Sequence, residues 1–362
     1  MGVEIRLTDR ELPVSPVYID FLAHLLRGEP YNNSEWAEQT SEALNFSLPE
    51  LQRRAEAVAP RVMNDERGRA HIARAYNLLL ALLTGDFAPV AGLQQRFHFI
   101  NVIGIPRSGG SYLTAELYRA LGIEPRGVPF AVAHDGFPEA GPFEMAPAAN
   151  SWVRSLHTMA EYLSMVELFF GGRAPHGSHI VVPKKLTKGI YAGGFFHRIL
   201  GEAVEHIVTL RHPVAACVSS YEKSGGLPAD GRFVVRSNIE DWCRRDLLYT
   251  GCRAEELARM DYFDAYLRYW EQYHYSIATT GLSANRGLRV VVYGRERLET
   301  LAGEFHHRYG SALVPGEFKV NQAARQRHPE WIERARPALQ RVAALWARMD
   351  IPFPLAEVEE CW

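Results

Sequence analysis

The 362-residue chain has only four cysteines, Cys217, Cys243, Cys252 and Cys361, and no CxxC pair. They are too few and too scattered for a disulfide framework or a zinc ribbon, so free thiols in a reducing cytoplasm are expected. Long hydrophobic runs are missing as well. The longest, around Leu78–Leu83, falls far short of the ~20 residues a membrane helix needs. Met1–Asp20 carries charges throughout and has no apolar core, which reads against a signal peptide. Nor is one sign of charge in excess. Lys plus Arg number 40 against 42 for Asp plus Glu, a formal net charge of −2. That balance argues against a general nucleic-acid binder but leaves room for a local basic pocket. No repeat or low-complexity tract occurs, and 47% hydrophobic with 23% charged residues is ordinary for a globular protein. A chain this long buries a core without staples. The expectation is a soluble, cytoplasmic protein.

The first ~95 residues carry helical patterning. Leu51–Met63 and Ala70–Leu83 repeat apolar residues at three-to-four spacing, and Ser47-Leu-Pro-Glu50 has the spelling of a capping box. From Arg96 the pattern changes. Phe97-His-Phe-Ile-Asn-Val-Ile-Gly104 is an apolar strand followed by a glycine-rich turn, and a helix is predicted from about Ser111 to Leu121, ended by Gly122. Further strands are predicted at His179–Pro183, His206–Leu210 and Leu288–Tyr293. Helices are predicted at Asn150–Phe169, Pro213–Lys223, Arg253–Ala278, Arg295–His307 and Glu330–Met349. Strands alternating with helices imply an α/β three-layer sandwich with a central parallel sheet over 96–362, preceded by a helical extension over 1–95.

The turn Gly104-Ile-Pro-Arg-Ser-Gly-Gly-Ser111 matches the phosphate-loop pattern GxxxxGK[ST] at both glycines and the final serine, but Gly110 stands where the lysine belongs. The positive charge sits earlier, at Arg107. A nucleoside triphosphatase also needs an Asp at the end of a second strand to organise Mg²⁺. Here the other strands end in Pro183-Lys-Lys185, Leu210-Arg211 and Tyr293-Gly-Arg295. An anion is therefore expected to meet backbone amides, a helix N-terminus and basic side chains, without a metal. A second constellation, Leu210-Arg-His-Pro213 followed by Ser219, offers a guanidinium at a strand end and a hydroxyl two turns into the next helix.

Together the two stretches resemble the nucleotide motifs of sulfotransferases that use 3′-phosphoadenosine 5′-phosphosulfate (PAPS). Pro106-Arg-Ser-Gly-Gly-Ser111 is similar to their 5′-phosphosulfate loop, P-[KR]-S-G-[ST]-[ST], with Gly110 replacing a hydroxyl residue. Arg211-His-Pro with Ser219 is similar to their 3′-phosphate motif, R-[DNH]-P and a later Ser. Val182-Pro-Lys-Lys185, Val291-Val-Tyr-Gly294 and Gly141-Pro-Phe-Glu144 are weaker echoes, and the likeness spans roughly residues 97–300. The resemblance implies a P-loop-like fold and PAPS as sulfuryl donor, with 3′,5′-ADP as product and no metal. Arg107, Ser108, Gly109, Gly110, Ser111 and Tyr112 would then surround the 5′-phosphosulfate. Arg211 and Ser219 would hold the 3′-phosphate, Tyr293 would approach the adenine, and Lys184 or Lys185 would face the transferring group.

Transfer to a hydroxyl or amine also needs a base. The K-T-H histidine of many cytosolic members is absent from Lys184-Lys-Leu-Thr187. The loop-like stretch Val128–Glu144 supplies His134, Asp135, Glu139 and Glu144; His134 and Glu144 rank nearly level and Asp135 third. Arg325 and Arg327 are candidates for a late loop over the 3′-phosphate. The acceptor is expected to be a small metabolite or natural-product intermediate, met by the aromatic-rich segments 128–150 and 225–241. Oligomeric state, including a homo-oligomer, is left open. The rival readings are a kinase or NTPase with a degenerate loop and a nucleotide-binding relic without catalysis.

Overall fold

The computed structural model describes residues 13–28, 30–31, 48–134, 148–223, 243–244, 246–248, 250–282, 287–318 and 328–362. In chain order its elements are α1 (Pro16–Arg27), α2 (Leu48–Asn64), α3 (Glu66–Thr84), α4 (Ala88–Arg96), β1 (Phe97–Gly104), α5 (Gly110–Ala120), α6 (Phe130–Ala133) and α7 (Ala148–Phe170). Then come β2 (Ile180–Lys185), α8 (Gly193–Leu200), β3 (Glu205–Leu210), α9 (Pro213–Lys223), α10 (Ala254–Leu257), α11 (Tyr262–Thr279), β4 (Leu288–Val292), α12 (Arg295–Tyr309), α13 (Pro329–Arg348) and α14 (Leu355–Glu360).

The four strands form one all-parallel sheet in the order β2-β1-β3-β4, with Asn101 opposite His206 and Val208 opposite Val290. This is an α/β fold consistent with the expected three-layer sandwich. All of β1 except His98 is buried, as an inner parallel strand requires. Edge strand β4 is more open, and its exposed Arg289 pairs with Glu304 on α12. After β1 the chain adds β2 on one side and β3 on the other. The segment leaving the carboxyl end of β1 therefore sits at the switch in strand order, where ligands of open parallel sheets bind.

Two compact units divide the chain. One comprises Met1–Phe99, Ile123–Lys184 and Ile199–Gly201, the other Ile100–Gly122, Lys185–Arg198 and Glu202–Trp362. In the first, α1 packs on α2 and α3 on α7. Ser15 caps α1 by accepting the Tyr18 N–H at 3.2 Å and donates its own hydroxyl proton to the buried carboxylate of Glu161 on α7. Glu161 also accepts the Ser15 N–H at 2.8 Å and meets His157 Nε2 at 3.2 Å, so its charge is buried with partners. The sequence prediction for this stretch is close: 51–63 and 70–83 lie inside α2 and α3. Ser47 of the capping box falls outside the described residues.

In the second unit α12 packs on α5, α9 on α11, and α11 on α13. The predicted helix Arg253–Ala278 is in fact two. Asp261 interrupts it, its carboxylate accepting the Asp264 N–H at 2.7 Å as the cap of α11, because a short acid satisfies a new helix start better than a continuing turn. All four cysteines are buried and none is in a disulfide. No single described helix is long and apolar enough to cross a membrane.

Two histidines of this unit are buried as neutral rings. His274 Nδ1 donates to Trp270 O at 2.7 Å, and burial pushes the ring down to about 4. His206, beside Asn101, is pushed down to about 3 by burial, with His197 adding to the effect. Exposed imidazoles titrate near 6.5. Between those limits the unfolded chain binds more protons than the folded one, so stability is full above about pH 6.5 and falls as pH drops toward about 4. The expected loss is on the order of 3–5 kcal/mol per histidine at the acid limit. Urea unfolding from pH 8 to 4 checks it, and His274→Gln should flatten the decline. An unchanged slope in that variant would assign the acid sensitivity to other groups.

Candidate functional site

The turn between β1 and α5 has an unusual backbone. Arg107 has φ +69° and, with Asp350, is one of two non-glycine residues at positive φ among those described. For a side chain of this size the left-handed conformation costs on the order of 1–3 kcal/mol and persists only where its surroundings enforce it. Gly109 follows at φ +93°, a backbone that favours glycine, and a Cβ there would also press on Leu298 Cδ1 at 2.7 Å. Turns of this kind, running straight into a helix N-terminus, gather backbone N–H groups into a concavity suited to an anion.

Arg211 braces Arg107 in this conformation. Its Nη1 donates to the Arg107 carbonyl at 2.7 Å across 104 positions of sequence. The Arg107 guanidinium in turn donates from Nε to Ser219 Oγ at 2.9 Å. The two sequence motifs thus form one cluster. Arg211 itself is 1% exposed, with its guanidinium carbon 3.9 Å from the centre of the Tyr293 ring, and its own carbonyl accepts from Trp270 Nε1 at 3.0 Å. The aromatic face replaces part of the water this cation has lost. Burial pushes both guanidinium pKa values down, and for Arg211 the charge of Arg107 adds to the effect. No described carboxylate comes within ion-pairing distance of Arg107. Two partly desolvated cations side by side favour an anion carrying more than one charge.

His212 and Pro213 have structural work. His212 Nδ1 accepts the Val214 N–H at 3.3 Å at the start of α9, its backbone N–H points at Cys361 Sγ at 3.2 Å, and its ring stacks on Trp362. Pro213 occupies the first helical position, where a missing N–H costs nothing.

The two lysines of β2 part company, as successive strand residues must. The stem of Lys185 runs past Gly110: a Cβ at 110 would be 3.5 Å from Lys185 Cε. Lys185 thus stands beside the first turn of α5. Lys184 is 1% exposed and its ammonium donates to the carbonyls of Ala131 (3.2 Å), Val132 (3.3 Å) and His134 (3.0 Å), over the buried ring of Tyr162. Lys184 therefore caps α6 and holds the backbone of His134, leaving Lys185 as the lysine next to the loop.

Ser108 is turned inward. Its hydroxyl is 2.5 Å from Ile105 O and 2.7 Å from Thr209 Oγ1 on β3, fastening the loop to the sheet, which leaves its backbone N–H and not its hydroxyl for an anion. Ser111 is half-buried in the first turn of α5. Tyr112 packs on Phe318 with ring centres 4.8 Å apart, and burial raises its phenol to about 12. Tyr293 is buried against both Phe318 (5.7 Å) and Arg211. His134 is buried in the first unit, stacked on Phe130 at 4.5 Å. Asp135, Glu139, Glu144, Arg325 and Arg327 lie outside the described residues.

Sequence reasoning missed Thr209, Phe318 and Trp270, each a support for the cluster. Thr209 was hidden as an ordinary strand residue and the two aromatics as ordinary core. Among the described residues no group of three or more His, Cys, Asp or Glu side chains converges at metal-ligand spacing. Compared with protein-family models, curated proteins and solved structures, the chain returns no match.

Proposed function

We propose that the protein is a P-loop-like sulfotransferase that passes the sulfuryl group of PAPS to a hydroxyl or amine of a small-molecule acceptor. The observation that carries this reading is the joining of the two motifs through Arg107: its carbonyl held by Arg211, its guanidinium by Ser219. A donor bearing a 5′-phosphosulfate and a separate 3′-phosphate has anionic groups for both halves of that cluster. The residues fit it. The strained turn and the N-terminus of α5 offer amides to the 5′ end, Arg107 and Lys185 lie on that side, and Arg211 with Ser219 distinguishes a 3′-phosphorylated nucleotide from ATP.

PAPS supplies an activated sulfur whose bond to the bridging phosphate oxygen breaks as the acceptor's oxygen or nitrogen bonds to it; 3′,5′-ADP and a sulfated acceptor result. The chain's part is electrostatic. Arg107, buried enough to act in a low-dielectric setting, stabilises negative charge growing on the bridging oxygen, with Lys185 sharing it. Arg211 keeps Arg107 from relaxing to an ordinary backbone conformation, so the charge is preorganised. The candidates to take the acceptor's proton are His134 and Glu144.

Thermal denaturation tests this first. At a hundredfold excess over its Kd, 3′,5′-ADP should stabilise the fold by about 2.7 kcal/mol. ATP with Mg²⁺ should leave the transition unmoved. Stabilisation by ATP–Mg²⁺ alone would point to a kinase or NTPase and overturn the proposal. If 3′,5′-ADP binds but radiolabelled sulfate from PAPS reaches no member of an acceptor panel, the protein is a nucleotide-binding relic.

A further inference from the structure

Glu116 is fully buried on α5, the helix that begins at the anion loop, and nothing in the chemistry proposed above uses it. Carboxylates are almost never buried without dedicated partners. Its partners come from three places in the chain. The Gly316 N–H donates to both oxygens, at 3.0 and 3.1 Å; His306 Nε2, on α12, lies 3.2 Å from Oε2; and the Arg119 guanidinium, one turn along α5, donates to Oε1. Glycine suits this contact: a Cβ there would fall 2.6 Å from Glu116 Oε1 and 2.5 Å from Arg119 Nη1, so a larger residue would have to push those side-chain ends aside. Two residues further on, buried Phe318 packs on Tyr112 at 4.8 Å and Tyr293 at 5.7 Å, and the Tyr293 ring carries the Arg211 guanidinium at 3.9 Å. The chain of contact therefore runs from Glu116 through the 316–318 backbone to the aromatic support of Arg211.

We propose that Glu116 is a positioning residue for nucleotide binding: by clasping the Gly316 amide it seats Phe318 between Tyr112 and Tyr293 and so fixes the plane of Arg211. The inference rests on the sulfotransferase reading. A carboxylate serves here because it accepts from one amide with both oxygens while answering a guanidinium and an imidazole; a neutral amide cannot do all three. Phe318 transmits the constraint because a packed ring has few alternative positions in a dense interior.

The test is a double-mutant cycle with Glu116→Gln and Phe318→Leu, read as the Kd for 3′,5′-ADP by calorimetry at a temperature where circular dichroism shows each variant folded. Each single substitution is expected to weaken binding about tenfold, and the pair by no more than about tenfold, because both interrupt one path. In steady state the KM for PAPS should rise while the KM for the acceptor stays put. Wild-type Kd in either folded variant, or losses that multiply in the pair, overturns the clasp. Should Glu116→Gln fail to fold, Phe318→Leu, which buries no charge, still decides through its Kd. A wild-type protein that does not bind 3′,5′-ADP at all fails the sulfotransferase reading itself, an outcome distinct from wild-type binding with unaffected variants.

Discussion

Replacing Arg107 by alanine is expected to lower kcat/KM for sulfuryl transfer by about 10²–10³, the range found when one preorganised donor to developing charge is removed. The side chain is partly buried, its Nε is fixed on Ser219, and its carbonyl is pinned by Arg211, so under the proposed function it would meet developing charge without reorganising. Such a donor contributes most where charge grows during reaction, and the affinity for 3′,5′-ADP should fall much less than the rate. The backbone gives the experiment a second reading. At φ +69° alanine keeps the strain and glycine removes it, so Arg107→Gly should be the more stable of the two variants by about 1 kcal/mol while being no more active. Single-turnover transfer from radiolabelled PAPS measures the first effect and urea unfolding the second. Undiminished transfer in the alanine variant would remove Arg107 from the chemistry.

Arg211→Met should have the largest effect on binding. The hydrogen bonds of a guanidinium to a phosphate contribute about 1.5–3 kcal/mol each, and a forked pair is therefore expected to account for about 10²–10⁴ in the affinity for 3′,5′-ADP. Methionine retains much of the apolar stem, so the Tyr293 ring stays covered while the charge is lost. The control is 5′-AMP, which lacks the 3′-phosphate. A direct contact predicts that discrimination between the two nucleotides collapses, with 5′-AMP affinity nearly unmoved. Arg211 also holds the Arg107 carbonyl, so part of the loss could pass through the loop. Equal weakening of both nucleotides would assign all of it to that indirect route and would remove Arg211 from the 3′-phosphate. Calorimetric titration of the two nucleotides against each variant separates the cases.

The strands were the most legible part of the fold. Buried parallel strands are nearly continuous in apolar residues, and Phe97–Gly104 is such a run, found with its ends in place. Where charge entered a strand the pattern failed: β2 continues to Lys185, two residues beyond the predicted end, because the Lys184 ammonium is buried against carbonyls that accept its hydrogen bonds in place of water. The single helix predicted over 253–278 failed for a related reason. Apolar periodicity persists across Asp261, and only the cap it forms shows that a new helix begins there.

Sequence spacing by itself determined that a glycine-rich turn follows β1, that a strand ends at Leu210 just before Arg211 and that Ser219 lies two turns into the next helix. Each follows from local rules of chain geometry. Whether Arg107 and Ser219 touch, which of two adjacent lysines stands by the loop, and that Ser108 faces the sheet were decided by the tertiary structure alone. So was the left-handed backbone of Arg107, since no local preference puts an arginine there and a contact from 104 residues away holds it. Glu116 was the least legible residue of all. Within an amphipathic helix it reads as a solvated charge, and it is buried because Gly316 and His306, 200 and 190 residues away, supply the hydrogen bonds that replace water.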